Sequence, residues 1–278
     1  MSDFSTINYS VAHGVAQLVL NRPERLNALD KTCLLEINEA MDIAEADDEV
    51  RVIVVSGAGR AFSSGFDLKS QMEQNPQGAK VWREILDLDF GTTMRFWNCP
   101  KPTIAAVHGS CLAGAFEMAM SCDITVATQD ATFGEPELKF GAGIVTMLLP
   151  WMTSPKQAKR IILSADDRVS AQDALDWGIV SKLVPPGEHL TEAVRIARGI
   201  ALMDPVLVAE TKKALNRTYE IQGMQTALST ALDVDHTIES HGSPDKRQFM
   251  EVARERGMRA AITWRDERFA RGQEDPDS

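Results

Sequence analysis

Apolar positions follow two different periods along this chain. In the first half, short β-branched runs are separated by longer segments with helical spacing. Residues 15–21, VAQLVLN, read as a strand closed by Arg22-Pro23. Residues 30–48 keep the helical period, with Asp30 placed as the N-cap. VRVIVVSG (50–57) is a β-rich run ending on Gly57, and 58–70 reads as a loop. Helical period returns over 79–97. KPTIAAVHG (101–109) is a strand, a short helix occupies 113–121, and 123–133 returns to strand. This β-α-β-α order predicts a mostly parallel α/β core.

The pattern changes after about residue 150. Helical periods dominate there, over 155–164, 170–177, 188–203, 205–219, 222–240 and 244–257, and GIVSKLV (178–184) offers one further strand. The second half is too helix-rich to extend the sheet evenly. It reads as a smaller helical region of the kind that packs on neighbouring subunits. The polar tail RGQEDPDS (271–278) is expected to fray.

Composition narrows the function classes. The 278 residues carry a formal net charge of −11. That balance opposes a general affinity for nucleic acid or anionic membrane, but a local cluster of Lys and Arg can still hold a few phosphates. The N-terminus MSDFSTINYS does not resemble a secretory signal, and no uninterrupted apolar run suits a membrane span. Cys33, Cys99, Cys111 and Cys122 form no C-x-x-C pair and suggest free thiols in a reducing cytoplasm. The five histidines are scattered, so no metal site is expected.

Two glycines sit where an oxyanion would need them. In SSGFD (63–67), Gly65 lets the backbone turn so that the amide of Phe66 can face a cavity. In LAGAFE (112–117), Gly114 falls at or near a helix N-terminus, with its unpaired N–H groups and partial positive charge. Two convergent N–H donors are what an enolate or tetrahedral intermediate requires. Either motif alone is more commonly a simple turn. Glu117 lies one turn beyond Gly114 among Phe116, Met118, Ala119 and Met120. It is either an exposed or ion-paired glutamate, or a buried catalytic carboxylate. Glu135 and Glu137 flank Pro136 at a strand end, where the proline leaves their relative direction open.

Together these pieces resemble the enoyl-CoA hydratase/isomerase (crotonase) superfamily. The segments are NRPERLNALD (21–30), GRAFSSGFDLK (59–69), KPTIAAVHGSCLAGAFEMAMSCDITVA (101–127), ATFGEPELKFG (131–141) and SADDRVSAQDALDWGIVSKLV (164–184). The resemblance implies an α/β crotonase spiral of β-β-α turns over 1–200. It implies a helical C-terminal trimerisation region over 201–278. The ligand is then an acyl-CoA thioester, with coenzyme A part of the substrate and no separate cofactor. The assembly is a homotrimer or a dimer of trimers, cytoplasmic, with no nucleic-acid or membrane partner.

The same resemblance assigns residues. The amides of Phe66 and Gly114 match the two donors to the thioester oxygen. Glu117 and Glu137 match the hydratase pair, with Glu117 activating water and Glu137 handling the α proton. Arg25, Ala28, Ser64, Phe66, Asp67, Leu68, Lys69 and Gly114 match positions along the CoA site, and Arg265 is a further cation for its phosphates. Hydration of a 2-enoyl-CoA is the reaction implied. Isomerase, decarboxylase or C–C hydrolase chemistry, or a non-catalytic CoA-binding scaffold, are the alternatives.

The chain departs from the hydratase pattern after Glu137. LKFGAGIVTMLLPWM (138–152) places Ile144-Val145 where hydratases carry Pro-Gly, which implies a modified acyl pocket. Residues 141–149 hold no acid, which disfavours relatives that use an aspartate there. Glu135 is an extra carboxylate: a solvated loop residue, or a modifier of Glu137.

Overall fold

A computed structural model describes residues 4–271 of the chain. Among the described residues, nine strands form two sheets: β1 (Ile7–Ala12), β2 (Val15–Leu20), β3 (Val52–Gly57), β4 (Thr103–Val107), β5 (Ser110–Leu112), β6 (Ile124–Thr128), β7 (Thr132–Gly134), β8 (Val169–Ser170) and β9 (Lys182–Val184). The larger sheet runs in the order β1-β2-β3-β4-β6-β9, and β5-β7-β8 form the smaller one. Only β1 is antiparallel in the larger sheet. Strands β3 and β4 are apolar on both faces because helices cover both. Val52, Val54, Ile104 and Ala106 pack on the helix His189–Ala201. Ile53, Val55, Ala105 and Val107 face the main core, which the helices Lys31–Ala46, Ala79–Asn98 and Gly114–Ser121 help build.

The alternating order and parallel core follow the sequence pattern. Asp30 caps the helix Lys31–Ala46 as expected, accepting a 2.9 Å bond from Cys33 N–H. Several boundaries differ, among them the short strands β5 and β8, which the sequence pattern did not show. Strand β1 was not foreseen, because only Ile7 of INYSVA is buried and the edge strand carries little apolar signal. It joins β2 through His13 and Gly14, both at positive φ, the geometry of a tight hairpin. The expected strand 123–133 is two strands in different sheets. The chain turns at Gln129–Ala131, where Ala131 N–H bonds to Thr128 O, and β7 then pairs with β5. The expected loop 58–70 ends early: the helix Leu68–Gln74 starts there, capped by Asp67. A helix Met258–Arg271 follows Gly257, beyond the last element the periodicity suggested. Of the polar tail, 272–278 lies outside the described residues.

The helices Pro205–Ile221, Met224–His241, Pro244–Arg256 and Met258–Arg271 form the C-terminal region. The first is fastened by Lys212, whose ammonium donates to Asp123 Oδ2 (2.7 Å) and to the carbonyls of Phe96 and Lys101. Its apolar side chains otherwise face outward: Leu202 just before it is 90% exposed, and Val206, Leu207, Leu215 and Ile221 are exposed too. Among the described residues, no helix is long and apolar enough to cross a membrane.

Candidate active site

The site forms where the loop after β3 meets the start of the helix Gly114–Ser121. Asn27 organises that loop from beneath, its side-chain amide donating to the carbonyls of Ala58, Ala61 and Phe62. Arg22 clamps the same corner. Its guanidinium reaches Asp30 (2.9 Å), Asp67 (3.0 Å) and the Ala28 carbonyl. Neither residue was singled out from sequence, although both sit in the N-R-P-x-x-x-N segment.

Gly65 has φ +88°, where a side chain is strained, and a Cβ there would lie 2.6 Å from Ala113 Cβ and 3.2 Å from Gly114 N. Two bonds then fix Phe66. Leu29 N–H donates to Gly65 O (2.9 Å), and Asp67 N–H donates to Leu29 O (3.0 Å). In this parallel bridge the Phe66 N–H points away from Leu29. Gly114 is the first residue of its helix, so its N–H has no partner in the preceding turn. Among the described residues, no acceptor engages the N–H of Phe66 or of Gly114. The Phe66 ring lies directly on the Gly114 Cα: a Cβ there would come within 2.2 Å of it. The two donors are thus neighbours, as the sequence motifs implied.

Glu117 and Glu137 converge beside them. Glu117 is 1% exposed and Glu137 7%, which selects the buried reading of Glu117. Glu135 is also 1% exposed, so it is not a solvated loop residue. A short 3-10 turn beginning at Glu137 brings all three acids together, and carboxylate oxygens of Glu117, Glu135 and Glu137 lie within 4.8 Å of one another. Such a cluster can hold a cation or share protons. Burial first, then mutual repulsion, pushes the pKa of Glu117 and of Glu135 well up. Burial raises Glu137 to about 8, while its own backbone N–H and then a hydrogen bond from Glu135 restrain it. The Thr146 backbone N–H and hydroxyl temper Glu117 from close by, yet neither Glu117 oxygen makes a well-formed hydrogen bond among the described residues.

Of the expected CoA residues, Phe66 and Asp67 line a cavity of about 220 Å³. Arg25 is exposed on the turn Pro23–Arg25, and its carbonyl accepts from Ala28 N–H. Ser64 N–H is tied to Leu26 O. Leu68 begins the helix Leu68–Gln74, and Lys69 is half-exposed, 3.6 Å from Glu73. The Asp67 carboxylate is already occupied by Lys69 N–H, Ser70 N–H and Arg22. Arg265 is engaged as well, 2.7 Å from Asp266 and 3.7 Å from Asp167.

Sequence reasoning missed two further acids. Asp235 and Asp89 are buried on facing helices, Met224–His241 and Ala79–Asn98. Burial raises Asp235 to about 7 and Asp89 well above its usual range, and Asp235 acts electrostatically on Glu117 and Glu137. The signal was present: Leu228, Leu232, Asp235 and Glu239 share one helical stripe, so acids occupy positions where the apolar period continues.

Comparison with known proteins agrees with this geometry. The enoyl-CoA hydratase/isomerase family model matches residues 10–255. The chain is 37% identical to the short-chain-enoyl-CoA hydratase of Clostridium acetobutylicum, over 78% of this chain and 82% of that protein. It is 35% identical to the crotonyl-CoA hydratase of Syntrophomonas wolfei, over 80% and 83%. The crystal structure of an enoyl-CoA hydratase/isomerase from Xanthobacter autotrophicus Py2 superposes with a TM-score of 0.94 at 61% identity, covering 95% of this chain and 98% of that one. Parallel core, paired amide donors and a family match along most of the chain place this protein in the enoyl-CoA hydratase/isomerase (crotonase) family of enzymes.

Proposed function

We propose that this enzyme is an enoyl-CoA hydratase, adding water across the 2,3 double bond of a 2-enoyl-CoA. One observation carries the reading. Two unpartnered backbone N–H groups, on Phe66 and Gly114, adjoin the buried carboxyl groups of Glu117 and Glu137. The donors take the thioester oxygen and stabilise the enolate as its charge develops; each such donor typically contributes about 2.7–4 kcal/mol. Glu117 orients the water and accepts its proton as the oxygen attacks the β-carbon. Glu137, whose raised pKa keeps it protonated near neutrality, delivers a proton to the α-carbon. Glu135 holds a proton against Glu137 and sets how readily that proton leaves.

Coenzyme A belongs to the substrate in this scheme, and no separate cofactor is required. The exposed Arg25 and half-exposed Lys69 suit its phosphates, with Ala28, Ser64, Leu68 and the backbone of Asp67 along its path. Arg265 would have to exchange its acidic partners to join them. The outward apolar side chains of Leu202, Val206, Leu207 and Ile221 support association into trimers or dimers of trimers. The four buried, unpaired thiols suit the cytoplasm.

The test is loss of enoyl thioester absorbance with crotonyl-CoA. Glu117→Gln and Glu137→Gln should each lower kcat by about 10²–10⁴-fold while CoA binding persists. Wild-type rates in both variants would refute the assignment. Double-bond migration without hydration would instead identify an isomerase.

A further inference from the structure

Asp235 has no role in the chemistry above, yet it sits at the edge of that site. It is 2% exposed, and neither carboxylate oxygen has a hydrogen-bond partner among the described residues. Its carboxyl group rests on the backbone of Gly143, where a Cβ would meet Oδ1 at 2.0 Å. Gly143 belongs to the 142–150 segment in which this chain departs from the hydratase pattern. Leaving a buried carboxyl unpaired costs free energy, so such a group is retained where something uses it.

A buried apolar cluster lies one helical turn away. Leu86 and Phe90 from one of the facing helices and Leu232 from the other form an apolar cluster with Val145 and Phe66. Leu232 lies one turn before Asp235, and Leu86 one turn before Asp89. Asp89 lines the same cavity as Phe66. Behind Asp235, Glu239 is committed to Lys246, whose ammonium also sits 4.4 Å from the Trp82 ring centre. Carbons of the acyl chain beyond the double bond would run along the apolar cluster and meet Asp235, with Asp89 opposite.

Resting on the hydratase reading, we propose that Asp235, assisted by Asp89, is a specificity residue that hydrogen-bonds a hydroxyl group on the acyl chain beyond the double bond. A plain alkyl chain would seal Asp235 in with both oxygens unpaired. A carboxylate would enter among Asp89, Asp235, Glu117 and Glu137, all acids. A hydroxyl can donate to the carboxylate or accept from the carboxylic acid, so it fits either protonation state. Sites built to bond a hydroxyl discriminate far more strongly than pockets that merely measure length.

The experiment compares 2-enoyl-CoAs matched in length and carrying methyl, hydroxyl, carboxylate or ammonium at successive chain positions. Each is measured for kcat/KM, and the saturated analogues for binding by calorimetry. At one position, hydroxyl should be preferred over methyl by about 10-fold or more. Asp235→Leu should bring that ratio close to one, and Asp235→Asn should largely keep it. Because Leu replaces an unpaired buried acid, Asp235→Leu should also melt at a higher temperature, which shows it is folded. Turnover of alkyl enoyl-CoAs with no hydroxyl preference in rate or binding overturns the subsite and spares the hydratase reading. Preference for carboxylate or ammonium overturns the hydroxyl assignment. If no enoyl-CoA is hydrated, the hydratase reading fails. The calorimetric hydroxyl-to-methyl ratio, and its loss in Asp235→Leu, then decides the subsite alone.

Discussion

Replacing Gly114 by alanine adds one methyl group at the most crowded point of the site. The new Cβ would lie 2.2 Å from Cε2, 2.6 Å from Cζ and 2.7 Å from Cδ2 of Phe66. Ordinary carbon contacts fall at about 3.5–4.0 Å, so the ring or the helix start must move by roughly an ångström. The two residues forced apart are the ones whose N–H groups form the proposed oxyanion hole. Misplacement on this scale costs about 10²-fold. Full loss of one donor costs about 2.7–4 kcal/mol, or 10²–10³ in kcat. Gly114→Ala should therefore lower kcat for crotonyl-CoA by about 10²–10³-fold, with circular dichroism unchanged. Adding Phe66→Leu makes room for the methyl group, so the double variant should lose less than the product of the single losses. Gly114→Ala with kcat within a few-fold of wild type would refute the placement of the donors. Strictly multiplicative losses would refute the ring contact as the cause.

The remaining expectations concern protons, strain and anchoring. If Glu137 must be protonated to supply the α proton, the alkaline limb of the rate falls as pH rises through about 8, while Glu117, which must be ionised to take the water's proton, sets a separate acid limb. Glu135→Leu removes the bond that restrains Glu137, so this alkaline limb should move up; an unmoved limb in the pH–rate profile would exclude Glu135 as its modifier. Ala113 holds φ 56°, ψ −138° at the helix start, a region an alanine occupies only under strain of about 1–3 kcal/mol. Ala113→Gly relieves that strain at an entropic cost of about 0.5–1 kcal/mol, so denaturant unfolding should show a gain near 1 kcal/mol, and a loss would contradict the backbone geometry. Lys212→Met leaves Asp123 with Thr103 alone and should destabilise by up to about 3 kcal/mol in the same assay, with no loss expected if the pair were only a surface contact.

The legible parts were those with a local cause. Strands β3 and β4 announce themselves because burial on both faces leaves unbroken apolar runs. Asp30 declares a helix start because capping is settled within three residues. Edge strand β1 and the helix after Gly257 were invisible because each buries few side chains and so lacks a strong period. The run 123–133 read as one strand because both of its halves are strands; only the pairing of β7 with β5 assigns them to different sheets.

For the site, the sequence alone determined the chemical vocabulary: two glycines that free backbone donors, and glutamates at spacings this family uses. Those are properties of residue type and local backbone, which a motif carries intact. Whether Glu135 is solvated, and that Asp235 stands near Glu117 with Asp89 near Asp235, was decided by packing between helices far apart in the chain. Burial and mutual repulsion are properties of an environment, and the environment exists only once the helices Ala79–Asn98 and Met224–His241 close over the loop at Gly143.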